Sequence, residues 1–294
     1  MLPREILRHI RRLQLRARRI VEDLLGGEYH SVFKGAGIAF DEVRAYQPGD
    51  DVRAIDWNVT ARMGQPFLNR YIEDRELTVF LLVDVSGSNQ FGSRARLKRE
   101  VAAELAAVVA FSAVSNNDRV GLVQFTDRVE RFVPPAKGTR HVLRVIRDVL
   151  FFDPGHRGTS LAEALDFLNR VQRRRAVVFL FSDFFDRGYD NALKRAARRH
   201  DLIAVRLGDP LEEELPAAGL LELADAETGE RRLVDSGNRA VREAYRVAAA
   251  TRREALRQLL RTTRTDLIEV TTEGGHLDAL TRFFQQRERR LRRP

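Results

Sequence analysis

The chain has no cysteine in 294 residues, only two methionines, and a single tryptophan. Without cysteine there is no disulfide scaffold, no cysteine-held zinc or iron–sulfur cluster, and no thiol nucleophile. Long hydrophobic runs are missing too: no stretch approaches the roughly 18 apolar residues that a membrane span needs. The opening MLPREILRHIRRLQLRARRI has neither a continuous apolar segment nor a small-residue cleavage site, so no secretory signal is read there. These absences predict a cytoplasmic protein with no transmembrane segment. Nucleotide signatures are also lacking. No G-x-x-x-x-G-K-[ST] run occurs, and Gly35-Ala36-Gly37 lacks the third glycine and the preceding buried strand of a dinucleotide site. Nor is there a G-x-S-x-G elbow, and none of the six histidines sits in a triad pattern. No catalytic residue is assigned.

The formal charge of +9 is concentrated at the two ends. Residues 1–19 hold seven arginines against Glu5, and residues 282–294 hold six against Glu288, while the rest carries 38 basic and 40 acidic residues. Basic ends of this kind suit a nucleic acid or an anionic surface, but they equally suit solvated helix faces. No aromatic interleaving strengthens the case for nucleic acid.

What the chain does have is an alternation of buried strands and amphipathic helices from residue 77 onward. LTVFLLVDV (77–85) and AVVFLFSD (176–183) are near-continuous apolar runs, as in strands covered on both faces. RVGLVQFT (119–126), VERFV (129–133), LIAVRL (202–207) and DLIEVTT (266–272) read as further strands. Helices are predicted at 94–115, 141–152, 161–172, 189–199, 237–262 and 276–292. DPLEEELPAAG (209–219) reads as a polar loop and 219–235 as a hairpin turning at Thr228-Gly229. This pattern predicts an α/β fold with a Rossmann-like, mostly parallel sheet flanked by helices. Residues 1–76, a basic helix plus short strands and turns, form an N-terminal segment packed on the core. Residues 77–272 form the main domain, with the hairpin inserted near 219–235, and 273–294 form a C-terminal basic helix.

In such a sheet ligands bind beyond the carboxyl ends of the strands. Those ends carry Asp84-x-Ser86-x-Ser88, then Thr159 before the 161–172 helix, and Asp183 after the second buried strand. Small hydroxyls with one or two carboxylates suit a hard divalent cation and leave it under-neutralised. The same residues also suit turns and helix caps, and Thr159 is placed to cap the helix that starts at Leu161. Spacing alone leaves both readings open.

Asp84-x-Ser86-x-Ser88, Thr159 and Asp183 resemble the metal-ion-dependent adhesion site of von Willebrand factor type A domains. The whole chain resembles the bacterial "domain of unknown function 58" family. The matching residues are Arg44-x-Tyr46-x-x-Gly49-Asp50-Asp51-x-Arg53-x-Ile55-Asp56-Trp57, then Ala61-Arg62, with further matches at Ser182-Asp183-Phe184 and Glu227-Thr228-Gly229-Glu230. The resemblance implies a von Willebrand A-like domain whose rim holds a divalent cation: Mg²⁺ first, with Mn²⁺ or Ca²⁺ as alternatives. It also implies a protein partner that offers an acidic residue, and association with a MoxR-type AAA+ ATPase. Two departures concern the rim: Ser160 follows Thr159 where many relatives have an acid, and Asn89 stands where many have Met.

The segment Arg44, Tyr46, Asp50, Asp51, Arg53, Asp56, Trp57 and Arg62 has two readings, a second recognition surface or an ion-pair lattice with two aromatic anchors. The favoured function is a metal-dependent interaction module, a cytosolic adaptor or chaperone-like partner of the ATPase. The alternatives are a metal-dependent hydrolase using the same rim and a binder of anionic surfaces through the basic ends.

Overall fold

The computed structural model describes residues 36–47, 55–74, 76–93 and 96–291, together with Leu15, Ala17, Asp50 and Val52. The basic first helix, Asp51, Arg53 and the last three residues therefore lie outside the described residues. Contacts divide the chain into a small unit, Phe33–Leu77, and a large one that takes in Thr78–Pro294.

In the small unit, β1 (Ala36–Ala45) pairs antiparallel with β2 (Phe67–Asp74), with Arg44 opposite Leu68. Between them stands α1 (Trp57–Met63), in a stretch whose pattern predicts short strands and turns. The Asp56 side chain caps its start, and Thr60, in its middle, ties it to the start of β2. Asp56 Oδ1 accepts from the N–H of Val59 at 3.1 Å, and Thr60 Oγ1 accepts from the N–H of Phe67 at 3.0 Å. The expected turn near Asp50 is present, with its carboxylate accepting from the N–H of Gln47 at 2.9 Å. Tyr46 is half-buried, and its N–H donates to the Pro66 carbonyl. Trp57 is 68% exposed, and Arg62 is exposed as well.

The large unit is built on a six-stranded sheet. Its strands are β3 (Thr78–Asp84), β4 (Arg119–Phe125), β5 (Val129–Ala136), β6 (Val177–Ser182), β7 (Asp201–Gly208) and β10 (Asp266–Thr271). Their order is β10-β7-β6-β3-β4-β5, and only β5 runs antiparallel to its neighbour. Numbered within the sheet, this is the doubly wound order 3-2-1-4-5-6, with the reversal of winding beside the first strand. β5 is an edge strand and ends in Pro134-Pro135-Ala136.

Alternation along β3 explains the two layers of helix. Phe80 and Leu82 face α4 (Leu161–Val171), α5 (Asp190–Arg199) and α7 (Arg239–Thr263), whose Leu165, Leu168, Leu193 and Leu260 complete that core. On the other face lie α2 (Lys98–Ser115), α3 (Thr139–Phe151) and α8 (His276–Leu291). α2 is buried on nearly every side, as its run of alanine and valine allows. α8 belongs to the core as much as to the basic tail, because it buries Leu280, Phe283 and Phe284.

The loop after β7 holds a one-turn helix, α6 (Pro210–Glu213), in a stretch that reads as plain loop. It is set by a capping box: Asp209 accepts from the N–H of Leu211, and Glu212 returns to accept from the N–H of Asp209. The predicted hairpin follows as β8 (Leu220–Ala224) and β9 (Arg231–Asp235).

Candidate metal-binding rim

The rim lies where β3 and β6, side by side at the reversal of winding, run out at their carboxyl ends. Asp84 is the last residue of β3 and is fully buried. Its Oδ1 accepts from the N–H of Ser86 at 2.9 Å, and its Oδ2 accepts from the hydroxyl of Ser182, the last residue of β6, at 2.6 Å. Ser86, also buried, has its hydroxyl 3.1 Å from that of Ser88 on the short 3₁₀ turn Gly87–Gln90. The chain then holds Asp183 by an unusual turn. Phe184 adopts a left-handed backbone at φ +61°, which costs a non-glycine residue about 1–2 kcal/mol. That turn aims two successive N–H groups back at the site, Phe184 at the Ser182 hydroxyl and Phe185 at Asp183 Oδ1, both 3.1 Å.

Thr159 reaches the same rim on the loop before α4. The Gly87 N–H donates to the Arg157 carbonyl at 2.9 Å, tying that loop to the serine turn. Thr159 does not cap α4. Ser160 does, accepting from the N–H of Glu163, while Asp186 accepts from the N–H of Leu161 at 2.7 Å. The Thr159 hydroxyl instead donates to Glu227 Oε1 at 2.5 Å, on the tip of the β8–β9 hairpin. His156, on the same loop, stands 3.9 Å from Asp127.

The electrostatics follow from burial. Burial first, and the charge of Asp183 second, push the Asp84 carboxyl up from 3.8 to about 7. Burial likewise raises Glu227, and Asp183 adds to the effect, against the lowering hydrogen bond from Thr159. The cation the sequence did not announce is Lys98, at the start of α2 and wholly inaccessible to solvent. Its ammonium donates to Asp183 Oδ2 at 2.8 Å and to Glu212 Oε1 at 2.5 Å. Burial alone would lower Lys98, but the charges of Asp183 and then Glu212 outweigh it and hold the ammonium above its ordinary value. Asp183 and Glu212 thus share the Lys98 ammonium, while Asp84 is met by the Ser182 hydroxyl and the Ser86 N–H, and Glu227 by the Thr159 hydroxyl.

Such a donor set fits a small hard cation. It is all oxygen, it carries surplus negative charge, and both carboxylates of the predicted set are already oriented by protein N–H and O–H groups. Among the described residues no three histidine or carboxylate side chains converge as a metal cluster, so the hydroxyls would have to complete any coordination sphere. Asn89 lies buried beside this turn with neither its amide oxygen nor its nitrogen paired.

Glu227, Lys98, Glu212 and Ser182 were not among the predicted site residues. Lys98 left a trace, as a lone charge in register with Val101 and Leu105 on a helix face that is otherwise apolar. Glu227 stands in the sequence only as part of the matched run Glu227-Thr228-Gly229-Glu230, and nothing there ties it to Thr159, 68 positions away.

Comparisons with known proteins place the chain in a family. The chain is 34% identical over 284 residues to the uncharacterized protein Rv1480 of Mycobacterium tuberculosis (strain ATCC 25618 / H37Rv), covering 95% of this chain and 89% of that one. Among solved structures it is similar to the conserved hypothetical protein BatB from Bacteroides thetaiotaomicron, with a TM-score of 0.44 at 14% identity, covering 72% of this chain and 99% of that one. It is also similar to the SpRpn10 VWA domain, with a TM-score of 0.37 at 12% identity, covering 70% and 94%. The family model described as "Protein of unknown function DUF58" matches residues 42–255, most of the chain, and the protein belongs to that family.

Proposed function

We propose that this protein is a metal-dependent interaction module. Asp84, Ser86, Ser88, Thr159 and Asp183 hold a divalent cation, Mg²⁺ first, and the cation binds a carboxylate of a partner protein. The observation that carries the reading is the buried pair Asp84 and Asp183. The charge of Asp183 raises the cost of a charged Asp84, the Ser182 hydroxyl donates to Asp84, and the ammonium that reaches Asp183 is shared with Glu212. A bound cation would remove that cost, and an ion held mainly by hydroxyls keeps enough charge to attract a further carboxylate. The partner class we propose is a MoxR-type AAA+ ATPase or a client it acts on, in the cytoplasm. Among the described residues no helix is long and apolar enough to cross a membrane. The basic C-terminal helix offers less to an anionic surface than its composition suggests, because Arg287 and Arg290 are already paired with Asp201 and Asp266.

Thermal unfolding with and without Mg²⁺ or Mn²⁺ tests the reading. A ligand confined to the native state stabilises it by about 2.7 kcal/mol at a hundredfold excess over its dissociation constant. The wild type should rise in Tm, and Asp84→Ala and the Ser86→Ala/Ser88→Ala pair should not. A wild type indifferent to both metals would reduce the rim to a hydrogen-bonded turn.

A further inference from the structure

The β8–β9 hairpin stands off the body along most of its length, with Leu220 and Leu233 each about two-thirds exposed, yet its tip reaches the rim. The tip is a built structure. The Asp225 carboxylate accepts from the N–H groups of Glu227 and Thr228 at 2.9 and 2.8 Å, and the Asp225 N–H donates to the Glu230 carbonyl at 2.8 Å. Gly229, at φ +74°, allows the chain to close. Within 224–230 every residue is exposed except Glu227, which turns inward to Thr159. A second contact is independent of that hydrogen bond. The Ala226 carbonyl approaches Gly87, between the two rim serines, so closely that a Cβ there would lie 2.2 Å from the oxygen. Glycine at 87 is thus what lets the hairpin tip settle on the serine turn.

The rim therefore already has a carboxylate of this chain against one of its hydroxyls, and it is placed as a partner's acidic residue would be. We infer that Glu227, carried on the tip of the β8–β9 hairpin, is a further ligand of the rim cation and fills the position a partner's carboxylate would take. The inference rests on the metal reading proposed above. Its consequence is competition: a partner binds only as the hairpin lifts, so the module is closed until something displaces residues 225–230.

The test is Mn²⁺ binding to the full-length protein, followed by the paramagnetic resonance signal of free Mn²⁺, with and without millimolar acetate as a free carboxylate. Three variants are compared with the wild type: Glu227→Gln, Gly87→Ala, and Glu222→Gln as a hairpin control whose carboxylate pairs with Arg231. The wild type and Glu222→Gln should bind Mn²⁺ alike and ignore acetate. Glu227→Gln should bind at least about tenfold more weakly and recover part of the loss with acetate. Gly87→Ala pushes the tip away without removing a carboxylate, and should also become responsive to acetate. Equal or tighter binding in Glu227→Gln, with no response to acetate in either rim variant, overturns the inference alone. Absence of Mn²⁺ binding in all four proteins overturns the metal reading and the inference together.

Discussion

The two ends of the central sheet treat carboxylates in opposite ways. At the amino ends, Asp201 opens β7 and Asp266 opens β10, and arginines of α8 meet both. Arg287 reaches each of them, and Arg290 adds a second contact to Asp266 at 3.0 Å. At the carboxyl ends, Asp84 is buried and receives the Ser182 hydroxyl and the Ser86 N–H. A carboxylate matched by a guanidinium holds elements together, whereas one matched by neutral donors retains charge that can act on something else. The contrast separates the fold's clasp from its site, and burial runs with it, since Asp84 is buried whereas Asp201 and Asp266 are half-buried.

The comparison breaks most severely at Lys98. Lys98→Met leaves Asp183 and Glu212 buried without their cation, and should cost about 3–5 kcal/mol in urea unfolding. A loss below 1 kcal/mol would mean the ammonium is not what balances the carboxyl end. At the other end, Arg287→Ala removes the clasp on α8 and should cost about 1.5–3 kcal/mol while leaving any response to metal intact. If metal binding falls with it, the two ends are not independent. A smaller change of opposite sign is expected at Asn89. Asn89→Leu replaces a buried amide without partners by an apolar side chain, and should stabilise the protein by about 1–3 kcal/mol. A loss of stability there would show that the amide has a use.

pH separates two buried groups within the large unit. His200, pushed down to about 4 by burial and by Arg199 and Arg175, binds its proton more readily in the unfolded chain. It therefore makes stability rise as pH increases from about 4 to about 6.5. Asp84, pushed up to about 7, binds its proton more readily in the folded chain and makes stability fall between about 4 and about 7. In chelator the two slopes oppose. Asp84→Asn should leave the rising slope and His200→Gln the falling one, as followed by urea unfolding at pH 4, 5, 6 and 7. Parallel profiles in the two variants would mean that neither group titrates as its surroundings require.

Much of the fold is legible because apolar runs and amphipathic periods are long here. Residues 77–85 and 176–183 read as covered strands, and the pairing of β3 with β6 in the structure puts Asp84 and Asp183 at the same end of the sheet. What escapes is fixed by single side chains. α1 starts at a cap from Asp56, and α6 depends on a capping box hidden in an acidic stretch. The site divides along the same line. Ser86 and Ser88 follow from local spacing, but Lys98 and Glu227 arrive from elements whose placement no local pattern encodes.

β5 closes one edge of the sheet with Pro134 and Pro135. Neither residue has an N–H to offer, so a strand of another molecule sliding alongside would meet gaps in the ladder. The sheet thereby carries, on its flank, its own safeguard against stacking into fibres.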